Sequence, residues 1–376
     1  MLFGDSITVA CFNDSASGSA DALGYWTPAH ALLRHRFSLL AEKGVGGNTT
    51  TQMLARISAD VLAYQPGWCL VQGGGNDVGQ DASAATITAS LGSIYATLRA
   101  SGIRVIATTI LPTTSASTSA RKAALYDTNA WIREYAQTYP DVVLCDWFNA
   151  SADPTTGDPK SGFTTDGVHP SATGAYWLGR ALFNALQYRT QVQDPLPFTN
   201  ADPSSILPNP MMVGDTAGLA DSVTVQSVNA AAVTATQSKV ARTDGVQGEW
   251  QQINASSAAD GWQLSQNNST AGSLWNVGDT VYGVCELEAD SGGSFVTAGR
   301  VPFSLSILFY NVATSVADWR SQSSYTAMTV YPTERLVLRT PNYVVPASTT
   351  RVYLRAQCFL TGCDVRIGRM QIVKVS

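Results

Sequence analysis

Residues 1–8 read MLFGDSIT, and this stretch decides how the first half of the chain is interpreted. Three apolar residues run directly into Gly-Asp-Ser, so Ser6 stands where a short buried strand is predicted to end. A serine at a strand end, beside a glycine that permits a tight turn, is well placed to act as an exposed nucleophile. Gly-Asp-Ser is also common in ordinary turns. By itself the stretch leaves both interpretations open.

Three later stretches favour the nucleophile. GVGGNT at residues 44–49 and GGGND at residues 73–77 each follow an apolar run, and DGVHP at residues 166–170 precedes a helix predicted over Ala172–Leu186. In this order and spacing, the four stretches resemble the sequence blocks of the SGNH (GDSL-like) hydrolases, a superfamily of esterases and deacetylases. The resemblance covers residues 1–187 and implies a three-layer, flavodoxin-like α/β fold.

Strands and helices are predicted to alternate over the same part of the chain. After the first strand, the predicted strands are 37–41, 68–71, 103–110 and 141–145. Such alternation is typical of a parallel sheet with helices on both faces, and ligands of such sheets bind beyond the carboxyl ends of the strands. Because Ser6, Gly47 and Asn76 all follow predicted strands, we expect them to converge at that edge.

The composition changes at residues 191–210, where Pro, Asn, Asp and Ser replace the helical periodicity. We interpret this segment as a linker between a catalytic domain at residues 1–190 and a second domain at residues 211–376. In the second domain apolar and polar residues alternate, as over 304–309 and 351–356. This pattern predicts an antiparallel, all-β sandwich of the jelly-roll type.

A serine hydroxyl needs a base to take its proton, and the chain has three histidines. His30 and His35 lie in a predicted helix and are interpreted as surface or core residues. His169 is the best candidate base, because Asp166 precedes it by three residues and can orient its imidazole. Asp166 could instead cap the following helix, with His169 merely adjacent. Together with the Ser6 block, the pattern predicts a triad of Ser6, His169 and Asp166.

Ester hydrolysis also needs donors aimed at the developing oxyanion. The resemblance assigns this role to the backbone N–H of Ser6, the backbone N–H of Gly47 and the side-chain amide of Asn76. The chemistry agrees, because glycine lets the backbone approach closely and an amide donates without charge. Asp5 and Asp77 are interpreted as residues that structure their loops.

Composition excludes several other classes of function. Charged residues are 14% of the chain and the net charge is −5, which argues against a nucleic-acid partner. No apolar run approaches the length of a membrane span. No cofactor is expected, because the glycine stretches fit neither a dinucleotide fingerprint nor a phosphate loop. A metal is not expected either, because the few histidines and six cysteines lack zinc-ligand spacing.

Several residues keep two interpretations at this point. Cys358 and Cys363 flank a predicted hairpin and form either a disulfide or a pair of reduced thiols. Aromatic residues near the blocks line a substrate pocket or belong to the core: these are Trp26, Trp147 and Phe148. Tryptophans of the second domain include a sugar-stacking platform or, as we favour for most, pack in its core: these are Trp250, Trp262, Trp275 and Trp319.

The sequence therefore predicts a serine esterase joined to a β-sandwich that binds carbohydrate. The pairing resembles carbohydrate deacetylases, including those of bacteriophage tails, and implies O-acetyl groups of a polysaccharide as substrate. A lipid or aryl esterase is one alternative, and an inactive glycan-binding adhesin is another. The short first strand suggests a chain that begins at a domain boundary or after a removed leader, with a location outside the cell or on a virion tail. The sugar, the acyl group and the oligomeric state are not fixed by the sequence.

Overall fold

The chain divides into two units. The computed structural model describes residues 1–12, 24–191, 196–228, 233–258, 260–268, 274–296, 301–312, 314–318 and 328–375. The first unit contains residues 1–12, 24–29 and 37–191, and the second contains residues 30–36 and the described residues from 196 onward. The segment 30–36, predicted within a continuous domain of residues 1–190, therefore makes most of its contacts in the second unit.

The first unit is organised around one parallel sheet. Its described strands are β1 (Leu2–Gly4), β2 (Glu42–Gly44), β3 (Trp68–Val71), β4 (Arg104–Thr108) and β5 (Val142–Cys145). Their order across the sheet is β2-β1-β3-β4-β5, and every neighbouring pair is parallel.

Helices connect the strands. The described α-helices are α1 (Ser6–Val9), α2 (Trp26–Leu32), α3 (Thr50–Asp60), α4 (Gly75–Gly79), α5 (Ala84–Ala100), α6 (Ser119–Thr138), α7 (Trp147–Ser151) and α8 (Ala172–Leu186). Hydroxyl side chains cap the N-termini of the four long ones, because each accepts a backbone N–H from the first turn: these are Thr49, Ser83, Thr118 and Ser171.

Both faces of the sheet are covered. Leu2 and Phe3 are neighbours on β1 and point to opposite faces, yet both are buried. Phe3 lies in one apolar cluster with residues of α3, α5 and α6, such as Met53 and Leu91. Helix α8 packs against β5. This is the predicted α/β arrangement, and it is confirmed.

The second strand differs from its prediction. Residues 37–41 were expected to form it, whereas β2 is Glu42–Gly44, paired with β1 through Leu2 and Glu42. The strand lies at the sheet edge and is only half-buried, so it needs no apolar run and gives no hydrophobic signal. The helix predicted to contain His30 and His35 ends at Leu32, and Arg34 and His35 follow with left-handed backbone.

The second unit is all-β and antiparallel, as predicted. Its described strands are β6 (Thr224–Ser227), β7 (Val233–Ala241), β8 (Glu249–Ala258), β9 (Trp262–Asn268), β10 (Thr280–Ala289), β11 (Ser294–Phe295), β12 (Phe303–Tyr310), β13 (Thr314–Asp318), β14 (Leu336–Arg339), β15 (Tyr343–Val344), β16 (Arg351–Cys358), β17 (Leu360–Thr361) and β18 (Asp364–Lys374). One sheet has the order β14-β10-β18-β8-β7, with β15 also on β10, another has the order β13-β12-β16-β9-β6, and β11 pairs with β17.

The two larger sheets lie face to face. A Cβ built on Gly283 of β10 would meet the side chains of Leu354 on β16 and Ile307 on β12. Side chains of the second sheet therefore pack against the first sheet, as in a sandwich core. The jelly-roll connectivity stays a prediction.

Residues 196–210, predicted as part of a linker, pack within the second unit. Leu196 is buried in a cluster with Val284, Val337 and Val373. The Ile206 N–H donates to the Ile372 carbonyl at 2.8 Å. Prolines remove helical periodicity from this segment, but its apolar residues still bury against the sheet.

The cysteines and most of the tryptophans of this unit are internal. Cys358 and Cys363 are buried free thiols. Trp250, Trp262 and Trp275 are buried, which agrees with core packing, and Trp319 lies outside the described residues. Among the described helices, none has the length and apolar content that a membrane crossing requires.

Candidate active site

Ser6 is the first residue of α1 and follows β1 after a single linking residue. That residue, Asp5, caps the short helix by accepting the Ile7 N–H at 3.0 Å. A Cβ on Gly4 would come within 2.7 Å of the Gln72 carbonyl oxygen, so only glycine fits at the turn. The sharp turn from strand to helix holds Ser6 at the carboxyl end of β1.

Ser6, His169 and Asp166 form a continuous hydrogen-bonded chain. Ser6 Oγ lies 2.9 Å from His169 Nε2, and His169 Nδ1 lies 2.7 Å from Asp166 Oδ2. The other carboxylate oxygen of Asp166 accepts the backbone N–H groups of Val168 and His169 at 2.9 and 2.7 Å. The side chains of His169 and Asp166 are 43% and 53% exposed, so a large substrate can reach them.

Two carboxyl groups near the serine have shifted pKa values in opposite directions. Burial acts to raise the pKa of Asp166, but hydrogen bonds from the imidazole and backbone N–H groups of His169 and Val168 outweigh it and lower the pKa to about 2. Burial raises the pKa of Asp5 to about 6, despite the hydrogen bond from Ile7. Asp166 is therefore an anion throughout the ordinary pH range.

The predicted oxyanion donors come from three segments: the start of α1 (Ser6), the loop before α3 (Gly47) and the start of α4 (Asn76). Gly47 has φ +76°, and nothing lies within 4 Å of a Cβ built there, so the backbone conformation alone selects glycine. The Asn76 side-chain amide donates to the Asn48 carbonyl at 3.0 Å. An amide nitrogen carries two hydrogens, and this bond uses one of them. Asn76 is thus tied directly to the residue that follows Gly47.

Asp77 of α4 is hydrogen-bonded to Thr50, the first residue of α3. Its carboxylate accepts the backbone N–H of Thr50 at 2.9 Å and the Thr50 hydroxyl at 2.7 Å. The carboxylate is buried and points away from solvent toward the start of α3. Asp77 and the capping residue Asp5 therefore structure their loops, in agreement with the sequence interpretation.

The other histidines are elsewhere. His30 and His35 belong to the second unit, and their rings face each other with centroids 3.9 Å apart. His169 is the histidine that the structure brings to Ser6. Within the described ranges, no group of three or more His, Cys, Asp or Glu side chains could hold a metal ion.

Comparison with known proteins identifies the first half of the chain. The family model of the GDSL-like lipase/acylhydrolase family matches residues 2–177. The N-terminal domain is a GDSL-like SGNH hydrolase domain. No curated protein matches the chain.

Solved structures similar to the GDSL-like domain include two bacterial enzymes. A GDSL-like lipase from Bacteroides thetaiotaomicron is 20% identical over 50% of this chain and 87% of its own, with a TM-score of 0.41. A catalytic mutant of an acetylxylan esterase from Geobacillus stearothermophilus is 21% identical over 51% of this chain and 95% of its own, with a TM-score of 0.42.

Two polar residues of the GDSL-like domain were missed by the sequence analysis. Gln72 directly follows β3 and accepts hydrogen bonds from Asp5 N–H at 3.2 Å and Thr8 Oγ1 at 3.0 Å. Arg56 lies on α3 and donates to the loop that contains Gly47. A glutamine at the end of an apolar strand was a usable signal for the first. The sequence gave no signal for Arg56, because an arginine between apolar residues of a predicted helix looks like an ordinary surface residue.

A small apolar cavity adjoins the site. Its volume is about 20 Å³, and its wall includes Ile7, Gly75 and Val168, which neighbour Ser6, Asn76 and His169 in the chain. The rest of the wall comes from the segments after β3 and β4, namely Gln72, Gly73, Thr109, Ile110, Leu111 and Thr113. By the same measure a single water needs roughly 10–15 Å³. The cavity is therefore large enough for a group of one or two heavy atoms.

Two sets of hydrogen bonds fix that cavity wall. The backbone of Ile110 is bound on both sides by Asn129, whose Oδ1 accepts its N–H at 2.7 Å and whose Nδ2 donates to its carbonyl at 2.9 Å. The Thr114 N–H donates to the Gly167 carbonyl at 3.0 Å. The segment after β4 is thus held against the loop that contains His169.

The aromatic residues predicted near the site are mainly core residues. Trp147 is fully buried, donates from Nε1 to the Leu178 carbonyl at 3.1 Å and packs edge-on against Tyr25. Trp26 is buried as well, and Phe148 is half-buried against the apolar cluster that contains Phe3. None of the three is among the residues that line the cavity.

Proposed function

We propose that the GDSL-like domain is a serine esterase with Ser6 as nucleophile. The observation that carries this proposal is the chain from Ser6 Oγ through the His169 ring to the Asp166 carboxylate, with contacts of 2.9 and 2.7 Å. This geometry is the arrangement that activates a serine hydroxyl for acyl transfer.

The residues then have distinct tasks in the reaction. As Ser6 Oγ attacks the ester carbon, its proton passes to His169 Nε2, and Asp166 stabilises the imidazolium. When the acyl–oxygen bond of the substrate breaks, His169 returns the proton to the leaving alcohol. A water then attacks the acyl-enzyme and gives a proton to the same nitrogen. As the bond between the acyl carbon and Ser6 Oγ breaks, His169 returns this proton to Oγ, and the acid is released.

The oxyanion formed at each attack is bound by the N–H groups of Ser6 and Gly47 and the amide of Asn76. Support comes from the positive φ of Gly47 and the hydrogen bond that links Asn76 to Asn48. Donors held in place before the reaction stabilise charge that develops only in the transition state.

The proposed substrate is an O-acetylated polysaccharide. The cavity of about 20 Å³ beside the site suits a methyl group and is far smaller than a fatty acyl chain. The exposed His169 and Asp166 suit a bulky alcohol component. A lipid esterase would need a long apolar channel, so the acetyl ester is the better match.

The second unit is proposed to bind the glycan. Its tryptophans Trp250, Trp262 and Trp275 are buried, so a different surface must do so. Tyr310 is half-exposed on the outer face of its sheet, and its ring lies 6.2 Å from that of Tyr353. Tyrosines on a sheet face can stack on sugar rings. An esterase domain joined to a glycan-binding domain suits an enzyme outside the cell, including one on a virion tail.

The test is acetate release from acetylated xylan and from p-nitrophenyl acetate. We expect the wild-type chain to hydrolyse both, and the Ser6→Ala variant to lose several orders of magnitude in kcat while keeping its melting temperature. Hydrolysis of p-nitrophenyl acetate at similar rates by both proteins would contradict the role of Ser6. Activity on long-chain esters alone would contradict the acetyl substrate.

A further inference from the structure

Arg56 occupies an unusual position for a charged helix residue. It lies on α3, between the buried Met53 and Ile57, and its side chain is only 18% exposed. The guanidinium sits over the ring of Phe3 in β1, 4.6 Å from the ring centroid. The side chain is therefore directed toward β1 and away from solvent.

Three of its hydrogen bonds go to three separate segments of the chain. Nη2 donates to the Gly4 carbonyl at 2.7 Å, Nη1 to the Lys43 carbonyl at 3.0 Å, and Nε to Asn48 Oδ1 at 2.8 Å. Nη1 is also paired with Asp60 at 2.7 Å on the same helix. A guanidinium can make these contacts at once because its donors point in fixed, divergent directions.

The acceptors are the segments from which the site is built. Gly4 lies two residues before Ser6, and its carbonyl also accepts the Val45 N–H at 3.0 Å. Asn48 directly follows Gly47, and its own carbonyl accepts the Asn76 amide. Each of the three proposed oxyanion donors is thus within two residues, or one hydrogen bond, of a segment that Arg56 holds.

We propose that Arg56 is a positioning residue for ester hydrolysis, which sets the distance between Ser6 and the loop of Gly47 and Asn48. This role rests on the proposed esterase function. Arg56 itself touches no reacting atom. Without it, the Val45 hydrogen bond and the pairing of β2 with β1 still hold the start of the loop, but the side chain of Asn48 loses its contact with Arg56, and small displacements of the donors become allowed. A misplacement of about 1 Å at a catalytic group can lower the rate by about 100-fold.

The experiment compares Arg56→Met with Arg99→Met. Arg99 on α5 is the matched control, because it resembles Arg56 in burial, in its ion pair and in its aromatic contact. Its side chain is 23% exposed, pairs with Asp141 at 2.7 Å and stacks on Tyr139. With p-nitrophenyl acetate, we expect Arg56→Met to lower kcat by about 10- to 100-fold with little change in KM, since the donors act on the transition state. Arg99→Met should keep the wild-type kcat. Equal kcat values for the two variants would overturn the proposal.

A double-mutant cycle with Asn76→Ala tests whether Arg56 acts through the oxyanion donors. We expect the combined loss in kcat to be clearly smaller than the product of the single losses, because both changes disable one group of donors. Fully multiplicative losses would show that Arg56 acts by another route and overturn the proposal.

Two milder variants keep the test decisive if Arg56→Met fails to fold. Arg56→Lys keeps the charge but cannot reach three acceptors at once, and Asn48→Ala removes the Oδ1 acceptor while leaving the carbonyl that binds Asn76. Both should lower kcat without raising KM. Full kcat in both would contradict the proposal. A wild-type chain without Ser6-dependent hydrolysis would instead overturn the esterase function, and the role of Arg56 with it.

Discussion

Asp166 holds both the backbone and the ring of His169. Oδ1 accepts the His169 N–H at 2.7 Å, and Oδ2 lies 2.7 Å from Nδ1 of the same residue. One carboxylate therefore fixes the loop conformation with one oxygen and the orientation of the imidazole with the other.

Asp166→Asn should separate these two tasks. The amide oxygen can still accept the backbone N–H groups, whereas its NH₂ group cannot accept a proton from Nδ1 and favours the wrong tautomer. We expect kcat for p-nitrophenyl acetate to fall by about 10²- to 10⁴-fold with a nearly unchanged melting temperature. An unchanged kcat would mean that another residue orients His169.

Asn76→Ala should lower kcat by about 10²- to 10³-fold and leave KM nearly constant, because the amide is proposed to bind charge that exists only in the transition state. Steady-state kinetics on p-nitrophenyl acetate give both constants. A raised KM with intact kcat would make Asn76 a substrate-binding residue instead.

Asp5 should make stability depend on pH. Its folded pKa of about 6 is above the usual 3.8, so between these values the folded state holds a proton that the unfolded state has released. Stability therefore falls as pH rises through this window, by about 3 kcal/mol for a shift of this size. Urea unfolding at about pH 4 and about pH 7 should show this fall in the wild type and a smaller one in Asp5→Asn. Equal pH dependence in both proteins would contradict the assignment.

Ile110→Ala should relax the preference for short acyl groups, because Ile110 lines the small cavity beside the site. We expect kcat/KM for p-nitrophenyl butyrate, relative to acetate, to rise about tenfold. Ile106→Ala is the matched control, since Ile106 is a comparably buried isoleucine on β4 outside the cavity wall. If both variants raise the ratio of butyrate to acetate kcat/KM equally, the change comes from a general loss of core packing, and the cavity does not select the length of the acyl group.

Tyr310→Ala should weaken binding to acetylated polysaccharide several-fold, because a stacked sugar contributes roughly as other aromatic contacts do, about 0.5–1.5 kcal/mol. Tyr188→Ala, at a tyrosine of the first unit that is 90% exposed, serves as control. Affinity electrophoresis in gels with and without the polysaccharide measures the effect. Equal retardation of both variants and the wild type would place glycan binding elsewhere.

Periodicity alone located the buried elements of the first unit well. The prediction for Trp68–Val71 and that for Ala172–Leu186 coincide with β3 and α8, because a fully buried strand and an amphipathic helix leave strong patterns in sequence. The edge strand β2 has Glu and Lys in place of an apolar run, so its position was missed. Its position follows from pairing with β1, which no local pattern records.

The candidate site was predictable to the extent that its parts are local. Asp166 and His169 are three residues apart, and the motif contains both. Arg56 contacts Gly4, Lys43 and Asn48 across up to 52 residues, and its role depends on the fold. Residues 196–210 show the same limit: their prolines suggested a linker, but burial of Leu196 depends on partners more than 80 residues away.

The proposed acid and base close a loop of only a few residues, while the nucleophile is 163 positions away. Closing so short a loop carries little loss of chain entropy, so the Asp166–His169 contact can persist in a partly unfolded chain. The contact with Ser6 requires the whole parallel sheet to be in place, because Ser6 leaves the central part of that sheet and His169 precedes its last helix. Loss of ester hydrolysis during denaturation should therefore report the global unfolding of the sheet, and not the opening of the loop that contains the base.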